Sequence, residues 1–156
     1  MKIREQGFTL IELVVTISII AILAAVALPR YIALQTQART AKMQAIYGGV
    51  RSAAMLAHAQ AIASNTTAAA TVPMEGANIT QINAYPTADA AGIITALQLD
   101  TTGDQVTISA GGAAAGSTIT IDINGATTAA NCRVSYTSAL ANAAPIIALP
   151  IAADCS

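Results

Sequence analysis

Glu12 is the one formally charged side chain between Phe8 and Leu28, in the run FTLIELVVTISIIAILAAVAL. A carboxylate near the end of a bilayer-length apolar helix is costly unless something pairs with it, so Glu12 marks a contact with a partner group. Cys132 and Cys155 are the second reactive pair. Two thiols close to the C-terminus, in a chain that carries an export-type segment, argue for one disulfide in an oxidising compartment. Other chemistry is thin. His58 is the sole histidine, so there is neither a His cluster for a metal nor a base for a Ser or Cys nucleophile, and it reads as a helix residue meeting solvent or a neighbour. The stretch Asp100-Thr101-Thr102-Gly103-Asp104 lacks the carboxylate spacing and closing Glu of an EF-hand and reads as a turn. No catalytic, cofactor or metal residue is assigned, and the chain is not read as an enzyme.

The element that must position Glu12 is a helix. Met1 to Gly7 form a short hydrophilic leader with Lys2 and Arg4, and the apolar run follows at once. At 1.5 Å per residue that run spans about 30 Å, the thickness of a hydrocarbon core, which is longer than an ordinary secretory signal. The leader cations keep the N-terminus cytoplasmic and send everything after Leu28 across the membrane, a bias that Arg30 weakens slightly. Ala25-Val26-Ala27 also has the small-x-small pattern of an ordinary signal-peptidase site. Beyond Leu28 the pattern stays helical to about residue 63. Met43, Ile46, Val50, Ala53, Ala57 and Ala61 recur at spacings of three or four, and Arg39, Lys42, Gln44, Arg51, Ser52 and Gln60 fall between them. Pro29 lacks an N–H and should kink this helix, and Gly48-Gly49 weakens it.

Gly7-Phe8-Thr9-Leu10-Ile11-Glu12-Leu13 before an apolar helix resembles the N-terminus of a type IV (type IVa) major pilin precursor with its class III signal. The resemblance extends to Pro29 and Tyr31, and more loosely, over residues 29–63, to the mannose-sensitive haemagglutinin-like branch. It implies cleavage between Gly7 and Phe8 by a prepilin peptidase that also N-methylates Phe8. It implies too that Glu12 pairs with the N-terminal amine of Phe8 in a neighbouring subunit during assembly. Ala21 departs from the pattern, since many relatives have glycine there, which leaves the extent of helix opening before Pro29 undetermined. The implied partners are copies of the chain itself, the prepilin peptidase and N-methyltransferase, the inner-membrane pilus assembly machinery and, before assembly, the inner membrane. The implied location is first the inner membrane, with a periplasmic head, and then an extracellular filament.

The expected fold class is α+β: a long N-terminal helix over about 8–63, kinked near Pro29, and a small head of three or four antiparallel strands packed on its C-terminal half. The organisation is a cleaved leader (1–7), a transmembrane and polymerisation half (8–28), an amphipathic half (29–63) and the head (64–156). Within the head, 64–104 is a connecting region, 105–138 a β-meander and 132–155 a disulfide-closed loop of the kind the resembling family uses. Strand alternation appears at Val106 and Ile108, at Ile119, Ile121 and Ile123, and at Val134 and Tyr136, with Gly111-Gly112, Gly116 and Asn124-Gly125 as turns. Although 54% of the chain is hydrophobic, only 3% is aromatic, and alanine buries little area, so the core should be thin. The disulfide would add about 3 kcal/mol to it by loop entropy. The tripeptides at Asn65 and Asn78 fit the N-glycosylation pattern by chance frequency alone.

Charge separates along the chain. Arg30, Arg39, Lys42 and Arg51 precede residue 52, whereas Glu75, Asp89, Asp100, Asp104, Asp122 and Asp154 follow it with Arg133 alone to offset them. An acidic, aromatic-poor head should repel nucleic-acid phosphates, so no nucleic acid is expected to bind the shaft, but the cationic stretch of one copy could attract the anionic head of another. The function expected is a structural subunit of a type IV pilus supporting adhesion or motility. Two alternatives stand beside it: a type II secretion pseudopilin, which the cysteine pair disfavours, and a secreted adhesive protein cut after Ala27.

Overall fold

The computed structural model describes residues 7–67, 70–150 and 155–156. The chain divides into two units, residues 1–35 and 36–156. Lys2, Arg4 and Asp154 lie outside the described residues.

Helix α1 runs from Leu10 to Ala63, its helical assignment continuing through Pro29. It starts at a capping box. The Thr9 N–H and hydroxyl both donate to Glu12 Oε2, at 3.0 and 2.6 Å, while the Glu12 N–H donates back to Thr9 Oγ1 at 3.3 Å. It stops at Asn65, whose φ of 53° is left-handed. There the Thr66 N–H reaches Ala61 O at 2.8 Å and the Asn65 N–H reaches Ile62 O at 3.1 Å, the paired bonds of a Schellman motif, so the last carbonyls are satisfied without glycine. In the second unit the stripe expected from sequence is the buried one: Met43, Ile46, Val50, Ala53, Ala57 and Ala61, joined by Ala54.

That stripe packs with two antiparallel sheets in one core. The larger sheet has the order β4-β5-β6-β7, built from Val106–Ala110, Thr118–Ile123, Arg133–Thr137 and Ile146–Ala148. Ile121 opposes Ile108 and Val134, and Ile119 opposes Tyr136. Ile119, Ile121, Val134 and Tyr136 are fully or almost fully buried, as alternation on a half-buried sheet requires. The β5–β6 connection is longer than the tight Asn124-Gly125 hairpin expected: the Ile123 N–H bonds Cys132 O at 2.9 Å, and residues 124–132 loop out through a 3-10 turn at Ala129–Asn131.

Residues 64–104, expected only as a connection, hold a second sheet and a helical turn. Strands β1 (Thr71–Met74), β2 (Ala77–Ile82) and β3 (Tyr85–Pro86) form that sheet in sequence order. Pro73 is tolerated because β1 is an edge strand. A helical turn at Ala90–Ile94, kinked at Gly92 where the backbone leaves helical geometry (φ −94°, ψ −107°), leads into α2 (Thr95–Leu97), and Asp89 caps it by accepting the Gly92 N–H at 2.8 Å. Gly92 must be glycine, since a Cβ there would lie 2.2 Å from Thr87 O. The two sheets are tied by Tyr136, fully buried, whose hydroxyl donates to Pro86 O at 2.7 Å, and by the Gly112 N–H donating to Ala88 O at 2.7 Å. Burial, with Tyr85 nearby as a lesser cause, pushes the Tyr136 phenol well above its ordinary range.

Cys132 and Cys155 form the disulfide, across a sequence separation of 23. Both are fully buried. Three further contacts fasten the same end: Arg39 Nη1 donates to Cys155 O at 3.3 Å, the Thr127 N–H donates to Ser156 O at 2.6 Å, and Lys42 Nζ donates to Asp104 O on the adjoining turn.

Candidate assembly site

In the first unit the apolar side chains have no interior to enter. Phe8, Leu10, Ile11, Leu13, Ile17, Ile20, Ile22, Leu23, Val26 and Leu28 are each more than half exposed. The helix has an 18-residue window of mean hydropathy 2.7, none of it buried, and is long and apolar enough to cross a membrane. Its hydroxyls are silenced locally: Thr16 Oγ1 donates to Glu12 O and Leu13 O, and Ser18 Oγ donates to Val14 O at 2.7 Å. Such back-bonding satisfies the hydroxyls within the helix itself.

Glu12 lies in the first turn of α1, on a face shared with Phe8, Ile11, Val15 and Thr16. Oε2 receives both Thr9 donors, and Oε1 accepts no hydrogen bond from the described residues. The carboxylate is thus oriented by its own helix and still has an open acceptor. Thr9, which orients Glu12, is the residue of this candidate site that the sequence reading does not single out. Its signal is Thr9-x-x-Glu12 ahead of an apolar run, a capping-box pattern that the membrane-length hydropathy of the same stretch masks. Gly7 and Phe8 precede the helix, and Phe8 is 82% exposed.

The remaining candidates serve structure. His58 Nδ1–H donates to Ala84 O at 2.9 Å, and the ring stacks on Tyr85 with centroids 4.0 Å apart, so the imidazole holds the turn between β2 and β3. Because Ala84 O can only accept, Nδ1 is assigned as the protonated nitrogen. Asp100 Oδ1 accepts the Thr102 N–H and Asp104 Oδ2 accepts the Asp100 N–H, an interlocked turn. Among the described residues no group of three or more His, Cys, Asp or Glu is placed to hold a metal. Asn65 ends α1, and Asn78 pairs with Pro73 in the first hairpin.

Residues 2–28 match the prokaryotic N-terminal methylation motif. The chain is 50% identical over 58 residues to the type IV narrow pilus major component PilA5 of Thermus thermophilus, a stretch that covers 37% of this chain. The match spans about half the length of that curated relative, 50% of it. No solved structure matches the chain. The chain thus carries the prokaryotic N-terminal methylation motif at the start of a long apolar helix, ahead of an α+β fold, and is similar over 58 residues to a type IV pilus component.

Proposed function

We propose that the chain is a structural subunit of a type IV pilus, held in the inner membrane by α1 until it polymerises into an extracellular filament that supports adhesion or motility. One observation carries this reading: an oriented carboxylate with an open oxygen sits beside Phe8, at the start of a helical segment whose apolar side chains, from Leu10 to Leu28, are exposed. Lipid covers such a surface before assembly, and neighbouring copies of the same surface cover it afterwards. Cleavage between Gly7 and Phe8 by a prepilin peptidase creates an amine at Phe8, which the same enzyme methylates. Glu12 of one subunit then receives the Phe8 amine of the next. Neither charge is stable alone in an apolar setting, so the pair fixes the axial register of docking. The role is structural and not catalytic.

The test has two arms. Intact mass and N-terminal sequencing of purified filaments should give a methylated Phe8 as first residue, while a start at Leu28 means that an ordinary signal peptidase cut after Ala27. Glu12→Gln should insert in the membrane normally yet yield few filaments by electron microscopy. Abundant filaments of normal length from that variant would overturn the pairing.

A further inference from the structure

In the unit of residues 36–156, the charged side chains that the structure describes are almost all engaged. Arg39 and Lys42 bond carbonyls, Arg133 pairs with Asp122 at 2.8 Å, and Asp89, Asp100 and Asp104 each accept backbone N–H groups. Two stand out among these described residues, because no hydrogen bond or ion pair within the chain reaches them: Arg51 and Glu75. They are of opposite sign, and both are exposed.

Each stands on a feature of distinct shape. Arg51 edges a groove of about 350 Å³ lined also by Tyr47, Met55, Tyr85, Pro145 and Ile147, an amphipathic trough with a single cation. Glu75 and Gly76 are the two central residues of the β1–β2 hairpin, closed by Met74 opposite Ala77. Both take left-handed φ, 49° and 80°. Such a turn favours Asn, Asp or Gly at its first position, and a glutamate breaks that rule while raising a long anionic side chain at the tip of a hairpin. The two features cannot serve each other within one chain. Tyr85, in the groove wall, pairs with Ile82 at the far end of β2, about 17 Å from the tip at roughly 3.4 Å per strand residue.

We propose that the Glu75-Gly76 tip of one copy seats in the Arg51 groove of the next, Glu75 meeting Arg51 over the Tyr47 and Tyr85 rings. The inference rests on the filament reading. Knob and hole occupy different places on the same surface, so the contact is heterologous: it leaves a free knob and a free hole at the ends and propagates without closing, as a helical filament requires. A partly solvated pair contributes register and partner choice more than affinity, with the apolar groove supplying burial.

Charge reversal in the full-length chain tests this. Arg51→Glu and Glu75→Arg should each lower filaments per cell at least tenfold, and the double variant should recover most of the loss. Normal filament numbers from both single variants overturn the proposal while leaving the filament reading intact, as does failure of the double variant to recover. A groove built for a different partner gives the first of those results. Absence of filaments from the unsubstituted chain overturns both readings. Should reversal disturb folding, Met55→Cys with Glu75→Cys provides an independent measure. Filaments of that variant should run as a ladder of cross-linked subunits on a non-reducing gel and collapse to monomer on reduction, whereas filaments without a ladder refute the contact.

Discussion

Tyr136→Phe is the sharpest probe of how the head is held together, because it removes one oxygen and little else. The ring is fully buried, and its hydroxyl is the side-chain bond from the larger sheet to Pro86 O of the smaller one. Removing the hydroxyl forfeits a hydrogen bond contributing about 1 kcal/mol net and strands a buried carbonyl, for a combined loss of about 1–3 kcal/mol. At roughly 4 °C per kcal/mol for a unit of this size, melting should fall by about 4–12 °C in calorimetry of the full chain in detergent. The phenol also predicts a pH signature. Burial raises its pKa in the folded state, so above about pH 10 the unfolded phenol releases its proton while the folded one retains it. The unfolded state then binds fewer protons, and stability falls as pH rises. The wild-type chain should therefore lose stability steeply above about pH 10, and the Phe variant should lose less over the same window. A variant that melts within 1 °C of wild type, using roughly the same scale, or one with an unchanged alkaline slope, would refute the tie between the sheets.

Two further perturbations address the rest of the fold. Cys132→Ser opens a loop with a sequence separation of 23 and should lower head stability by about 3 kcal/mol, with wild-type protein in reductant showing the same drop in melting temperature; a melt insensitive to reductant would contradict this. Gly92→Ala drives a methyl against the Thr87 carbonyl and should cost about 1–3 kcal/mol by overpacking, seen as a lower calorimetric midpoint, and an unchanged midpoint would mean that the kinked turn yields freely.

The long helix and the larger sheet were legible because their signals are periodic. Met43 to Ala61 recur at helical spacing over five turns, and Ile119, Ile121, Val134 and Tyr136 alternate on strands with clear turns around them. The smaller sheet was not legible. Val72-Pro73 looks like an interruption unless β1 is known to be an edge, and β3 is only two residues long, too short to carry a period. Strand β7 was hidden for a similar reason, as three residues between Pro145 and Pro150. At the candidate assembly site, the lone charge of Glu12 is legible in the sequence, whereas the hydroxyl of Thr9 that orients it stands out only in the structure. Arg51 and Glu75 carry only the coarse sequence signal of charge separated along the chain, which does not single them out from the other charged residues. Their isolation emerges only once the partners of every other charged head residue in view are known.

The capping box has a consequence for processing. A peptide bond inside a helix has its carbonyl engaged one turn ahead and its neighbours wound away from an enzyme's cleft. By closing the ladder at Thr9, the box leaves Gly7 and Phe8 outside it. The Thr9 hydroxyl therefore acts as a boundary marker. Under the proposed function, the backbone on one side is sealed for passage through lipid, and on the other it stays open to the peptidase.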